Sequence, residues 1–176
     1  MKCALVVGGS GMLSQVSIWL AQQHYRVYVI GRSVEKMNRL LRQADSYSQI
    51  IPIYADYTND EQFVESIHSL LGKNSHIKLI VSWIHSTAPR ALQTLINMVE
   101  EEEHPFHVYH VLGSKANLPE IKKNLHLSEL CTYHQVQLGY IREGRSQRWL
   151  SHDEISQGVI DSIKQEKEVY TVGTLS

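Results

Sequence analysis

Cysteine is nearly absent: Cys3 and Cys131 are the only two in 176 residues, and they form no ladder of spacings. A disulfide framework is thereby excluded, and a reducing cytoplasm is the expected location. A charge excess is also missing, with 17 Lys and Arg against 18 Asp and Glu. Basic residues cluster on no stretch, so no electrostatic footprint for nucleic acid is expected. The one charge run, Glu100 to Glu103, reads as a solvated helix end. No apolar run approaches the roughly 20 residues of a membrane span, so a membrane partner is not expected either. The opening MKCALVVGG has one lysine and a short apolar run ending in glycines. It reads as a first strand rather than a secretory signal. Repeats, low-complexity segments and linkers are lacking too, which predicts a single domain over residues 1–176.

What is present is core-forming material, 43% apolar with 20% charged, enough for a globular chain rather than a disordered one. It is arranged as an alternation. Short apolar runs at 5–7, 27–30, 50–54, 77–83, 106–112, 135–141 and 169–172 predict strands. Between them, helical spacing covers Met12–His24, a stretch capped by Ser33 and running to about Gln43, and Ala88–Val99. A further helix, capped by Thr58 or Asn59, has Phe63, Ile67, Leu70 and Leu71 on one face and is stopped by Gly72. A short helical piece near 119–124 and a last helix over Asp153–Lys164 complete the pattern. Strands separated by helices of this length predict a three-layer, doubly wound α/β Rossmann fold. Its sheet should be mostly parallel, with about six to seven strands.

The chemistry begins at Gly8-Gly9-Ser10-Gly11-Met12-Leu13-Ser14, a glycine-rich turn between the first strand and the first helix. Glycines there let the backbone approach a pyrophosphate, while free amides and the positive helix end face its charge. Both G-x-x-G-x-x-S and G-x-G-x-x-S spacings fit, and the strand–turn–helix setting is the context this motif requires. Strand two ends in Ile30-Gly31-Arg32-Ser33. An NAD site wants an acid there for the ribose hydroxyls, whereas NADP needs a cation for the 2′-phosphate. Gly31 stands at the acidic position, Arg32 supplies the cation, and Ser33 can bond a phosphate at a helix start. NADP(H) is therefore the expected cofactor ahead of NAD(H), although Glu35 lies nearby. A methyltransferase would also want an acid at the end of strand two, which Gly31 does not supply.

With these residues the chain resembles the short-chain dehydrogenase/reductase superfamily over most of its length. The resemblance implies that Asp56, in Ala55-Asp56-Tyr57, contacts the adenine ring with Tyr57 beside it. It places Trp83-Ile84-His85-Ser86 next to the adenine ribose, and Ser114 in the position of the catalytic serine after strand five. The superfamily's Tyr-x-x-x-Lys pair has only one echo, Tyr133-His134-Gln135-Val136-Gln137, with glutamine where lysine belongs. In the superfamily that tyrosine supplies the proton for carbonyl reduction. Here Val136, Leu138 and Tyr140 alternate with Gln135, Gln137 and Gly139, which is strand spacing and sets Tyr133 at a strand entry. Residues four apart are neighbours on a helix but about 13 Å apart on a strand.

The rim beyond the strand ends then offers His85, Ser86, Ser114, Lys115, Arg142 and Glu143, with Trp149 on a lid. His85 is the candidate general acid and Ser114 the candidate carbonyl hydrogen-bond donor. His104, His107 and His110 recur every three residues, but on a strand His107 and His110 point to opposite faces, so no metal is expected. Trp19 and Trp83 read as packing groups. Two functions follow. One is an NADP(H)-dependent oxidoreductase acting on a small carbonyl or alcohol with a non-standard catalytic site. The other is an NADP(H)-binding regulator or sensor without turnover. The expected partner is a small-molecule substrate, and a homo-oligomer is left open.

Overall fold

The structure is a computed structural model that describes residues 1–8, 10–45, 49–71 and 76–175. The strands are β1 (Cys3–Val7), β2 (Arg26–Gly31), β3 (Ile50–Tyr54), β4 (Ile77–Ser82), β5 (Phe106–Leu112), β6 (Cys131–Leu138), β7 (Tyr140–Glu143), β8 (Ser146–Trp149) and β9 (Val169–Val172). The helices are α1 (Ser14–Gln22), α2 (Val34–Gln43), α3 (Asp60–Leu71), α4 (Ala91–Glu100), α5 (Leu118–Lys123) and α6 (His152–Gln165). Seven strands form one sheet in the order β3-β2-β1-β4-β5-β6-β9, and every neighbouring pair is parallel. This is the three-layer α/β arrangement of the Rossmann fold that the alternation predicts.

The reason lies in the strand composition. All five residues of β1 are buried, because helices cover both faces of a parallel sheet. Cys3, Leu5 and Val7 pack with Phe63, Ile67 and Leu70 of α3 and with Leu92, Leu95 and Ile96 of α4. Ala4 and Val6 face the other layer, with Val16 and Leu20 of α1, Met37 and Leu40 of α2, and Val159 of α6. Chain order reverses at β1, which has β2 on one side and β4 on the other. That switch point opens a crevice beyond the carboxyl ends of the strands, where ligands of such sheets bind.

Several element boundaries differ from the sequence expectation. α1 begins at Ser14 rather than Met12, because Gly11 N–H bonds Gly8 O and Ser14 N–H bonds Gly11 O, which keeps Met12 and Leu13 in tight turns. It ends at Gln22, and His24 lies beyond it at φ 68. α4 begins at Ala91 rather than Ala88, since a residue preceding proline, here Pro89, is disfavoured from helix. Of the two caps considered for α3, Asn59 is the one used: its side chain accepts from Gln62 N–H at 3.1 Å. Gly72, the expected stop of that helix, lies outside the described residues.

The largest difference concerns 131–149. β6 starts at Cys131 and stops at Leu138, so Tyr133 lies within the strand, and Tyr140 and Ile141 lie beyond it. The strand ends where a Cβ on Gly139 would run into the Thr174 carbonyl. Two backbone bonds then tie Tyr140 to Thr174, at 2.7 and 2.8 Å. The chain continues into an antiparallel hairpin, β7–β8, with Glu143 opposite Ser146 across Gly144-Arg145. Gly144 has φ 64. A positive-φ glycine opening a two-residue turn is the hairpin signal that the sequence carried. Among the described residues, no helix is long and apolar enough to cross a membrane.

Candidate functional site

The turn after β1 is shaped as a backbone cradle. Gly8 has φ 83, and its N–H bonds Ile30 O at 3.2 Å, which draws the turn across the end of β2. An added Cβ at Gly8 would lie 3.0 Å from Trp83 O, so the chain passes close to β4 here. Gly11 differs: an added Cβ would meet nothing within 4 Å. The open space in front of Gly11 adjoins the start of α1, whose cap residue Leu13 makes no side-chain bond and whose first turn holds no acidic residue. The positive end of an uncapped helix, with clear space before it, suits a pyrophosphate. Gly9 lies outside the described residues. Ser10 fills the volume against Gly31, where an added Cβ would sit 2.8 Å from its Oγ. The position of the usual ribose-binding acid is thus occupied by the turn itself.

At the end of β2, Arg32 is 78% exposed and lies 3.7 Å from Asp56 Oδ2. Asp56 is held in a tight loop, its Oδ1 accepting from Thr58 N–H at 2.9 Å and Thr58 Oγ–H at 2.6 Å. Those hydrogen bonds, with Arg32 adding to them, hold its carboxyl below the usual carboxylate range. Arg32, Ala55, Asp56, Tyr57, His85 and Thr87 line one cleft of about 340 Å³. Ser33 caps α2 by accepting from Lys36 N–H at 3.2 Å, an arrangement that leaves its hydroxyl proton to donate. His85 belongs to this cleft. Its backbone N–H bonds Tyr57 Oη at 3.2 Å, and its Nδ1 accepts from Thr87 N–H at 3.3 Å. Ile84 packs toward α3 and α4, whereas Trp83 packs on the opposite face of the sheet. Trp83 is therefore apart from the cleft that Asp56, Tyr57 and His85 share.

Ser114 stands elsewhere on the rim, after β5. Gln137 on β6 donates to the carbonyls of Gly113, Ser114 and Ala116, each at 3.2 Å, and so fixes the loop that carries it. Ser114 Oγ lies 3.1 Å from the hydroxyl of Tyr140. Among the described residues no hydrogen bond joins Ser114 to His85, so the two catalytic candidates are not brought together. Sequence reasoning missed Tyr140, because the strand reading extended β6 through it.

Tyr133 is buried within β6, where it pairs in register with Val108 of β5. Its hydroxyl lies 2.7 Å from His110 Nδ1 and accepts from Gln135 Nε2 at 3.2 Å. Gln135 also donates to Leu118 O at 2.9 Å. Burial raises the Tyr133 phenol well above its ordinary range and depresses the His110 imidazole to about 4. The chain Gln135–Tyr133–His110 therefore reads as structural. Tyr133→Phe should leave dinucleotide affinity within about twofold but cost about 1–3 kcal/mol of stability, because His110 loses its partner. Urea denaturation beside a dinucleotide titration checks both halves, and an intact stability with lost binding would contradict it. His107 lies on the other face, 3.0 Å from His134, which confirms that His107 and His110 point apart.

No family model matches this sequence, and no curated protein matches it. Solved structures do. An NADPH-dependent reductase involved in bacilysin biosynthesis superposes with a TM-score of 0.74 at 11% identity, covering 99% of this chain and 100% of that one. A β-ketoacyl-[ACP] reductase of Bacteroides thetaiotaomicron gives 0.67 at 14% identity, with 97% of each chain covered. A metagenomic short-chain oxidoreductase in complex with NADP gives 0.64 at 13% identity, covering 98% and 96%. The chain has the Rossmann fold of the short-chain dehydrogenases and reductases.

Proposed function

We propose that this protein is an NADP(H)-dependent oxidoreductase of the short-chain dehydrogenase/reductase type, acting on a small carbonyl or alcohol. The observation that carries the reading is the open cradle at Gly11 before an uncapped, acid-free helix start, with Arg32 at the end of the neighbouring strand. The open side of the turn at Gly11, ahead of α1, would hold the pyrophosphate at the positive end of the helix. Arg32, released from Asp56, would pair with the 2′-phosphate, and the cleft at Asp56, Tyr57 and His85 would take the adenosine. Once bound, the cofactor would supply or accept a hydride at the rim beyond β4 and β5, where Ser114 can donate a hydrogen bond to a carbonyl oxygen.

A charge-assisted bond to a phosphate is worth about 1.5–3 kcal/mol, so NADPH should bind at least about tenfold more tightly than NADH. Fluorescence titration of both dinucleotides measures this directly. Arg32→Ala should erase most of the difference. Equal affinities in the wild type, or a preference for NADH, would contradict the assignment.

One observation favours a second reading, an NADP(H)-binding regulator without turnover. Only the six-residue α5 lies between β5 and β6, and Tyr133 is buried in the strand that follows. A helix-borne Tyr-x-x-x-Lys pair is therefore not available, and turnover requires another proton donor.

A further inference from the structure

The proton donor can be sought among the groups that the fold places at the carboxyl ends of β5 and β6. Two hydroxyls meet there, Ser114 Oγ and Tyr140 Oη, 3.1 Å apart. Each is positioned by its own support. The Ser114 loop hangs on three carbonyl bonds from Gln137. Tyr140 is anchored by its paired backbone bonds to Thr174, and its ring lies 4.6 Å from that of Trp149. The hairpin carrying Tyr140 is itself clamped to α6, because Arg148 bonds both Glu143 and Glu154 at 2.7 Å. Groups held in this way need little reorganisation to act on a bound carbonyl. Tyr133 has none of this access, since it lies several residues below the strand end and its hydroxyl is committed to His110. His85 is anchored to Thr87 and Tyr57 in the adenosine cleft.

We propose that Tyr140 is the proton donor of this site, with Ser114 as its hydrogen-bonding partner on the substrate oxygen. The proposal rests on the NADP(H) reading above. Two hydroxyls that share one hydrogen bond have a second proton to give, and a carbonyl oxygen seated beside both can accept from each once it replaces their mutual bond. In reduction, a bound NADPH would supply the hydride, with its electron pair, that forms the new C–H bond at the carbonyl carbon. The C=O π pair moves to oxygen, and that oxygen takes the phenolic proton of Tyr140. The carbonyl is reduced to an alcohol and NADPH is oxidised to NADP⁺. The resulting phenolate accepts from Ser114 Oγ–H and recovers its proton from solvent, to which Tyr140 is partly open. Nothing in this sequence needs the missing helix. The competing account is a latch, in which the 3.1 Å contact merely pins the hairpin to the β5 loop.

NADP⁺ and NADPH distinguish these accounts, because only the oxidised nicotinamide carries a positive charge. The probe is the Cζ resonance of Tyr140 in ¹³C-tyrosine-labelled protein, assigned by its loss in Tyr140→Phe. Around this phenol the fold places the Ser114 hydroxyl and the Trp149 ring, while the nearby Arg148 is committed to its two carboxylates. Saturating NADP⁺ should lower the titration midpoint of Tyr140 by about one pH unit, and NADPH should lower it much less. Ser114→Ala should leave NADP⁺ affinity within about twofold, because Ser114 faces the substrate oxygen and not the dinucleotide. Binding of NADP⁺ with an unmoved midpoint would overturn the assignment of Tyr140 and leave the cofactor reading intact. An equal shift by both dinucleotides would overturn it as well, since it would report the phosphates. Absence of NADP⁺ binding by fluorescence would remove both.

Discussion

Gly11→Val is expected to fold as the wild type does and to lose dinucleotide affinity by more than about a hundredfold. The two halves of that result have separate origins. An added Cβ at Gly11 meets no protein atom within 4 Å, so packing is indifferent to it. The space it enters is the one in front of the α1 amides, where a pyrophosphate must come into contact with the backbone. A branched side chain there holds the phosphate off, and losing even two amide hydrogen bonds to an anion costs about 3 kcal/mol or more. Gly8 provides the internal contrast. Its φ of 83 and its approach to Trp83 O predict that Gly8→Val damages the fold itself. Circular dichroism, denaturant melts and dinucleotide titration on the two variants separate the effects. Unchanged affinity in a folded Gly11→Val protein would remove the pyrophosphate from this turn.

Stability should also fall by about 3 kcal/mol as pH drops from 7 to 4, with His110 as the main source. Although the residue keeps some surface, its imidazole is desolvated on β5 against Tyr133, and burial depresses it to about 4. The unfolded chain takes up this proton near pH 6.5, whereas the folded chain does not until about pH 4. A neutral, buried histidine therefore contributes in full above pH 6.5, and the contribution is lost as pH falls toward 4. His134 is depressed by burial as well and acts with the same sign. Glu154 opposes nothing in this window: Arg148 holds it near 2, so its own contribution is lost only from about pH 4.5 downward. His110→Asn, which keeps an acceptor for the tyrosine hydroxyl, should flatten most of the dependence between pH 6.5 and 4. Equal slopes for variant and wild type in urea denaturation would show that the loss lies elsewhere.

The strands and their order of appearance were legible because buried parallel strands are short apolar runs, and β3, β5 and β9 fall on the expected residues. The strand character of Tyr133 was legible too, since period-two alternation cannot be sustained by a helix. Helix starts were read less well. Met12 and Ala88 belong to tight turns set by Gly8–Gly11 bonding and by Pro89, and turns of this kind leave no periodic trace. The hairpin was missed for a related reason. Tyr140 and Ile141 continue the alternation of β6 in sequence, while the break comes from the steric demand of Gly139 against Thr174, a contact between residues far apart in the chain. In the candidate site, the glycine turn, Arg32 and Asp56 were visible as types at known spacings. The Arg32–Asp56 pairing and the meeting of Ser114 with Tyr140 were not, because each depends on how neighbouring strands end in register.

A bond described by neither motif nor spacing couples the turn after β1 to α6. Ser156 Oγ, at the buried face of α6, donates to Met12 O at 2.8 Å, across 144 residues of chain. The turn after β1 is thus secured by a hydroxyl far from it in the chain. Without α6 the turn would keep its glycines but lose its tether on Met12, and the apolar face of α1 that packs on α6 would be wet. The shape of the turn is therefore a property of the completed sheet and helices and not of the glycines alone.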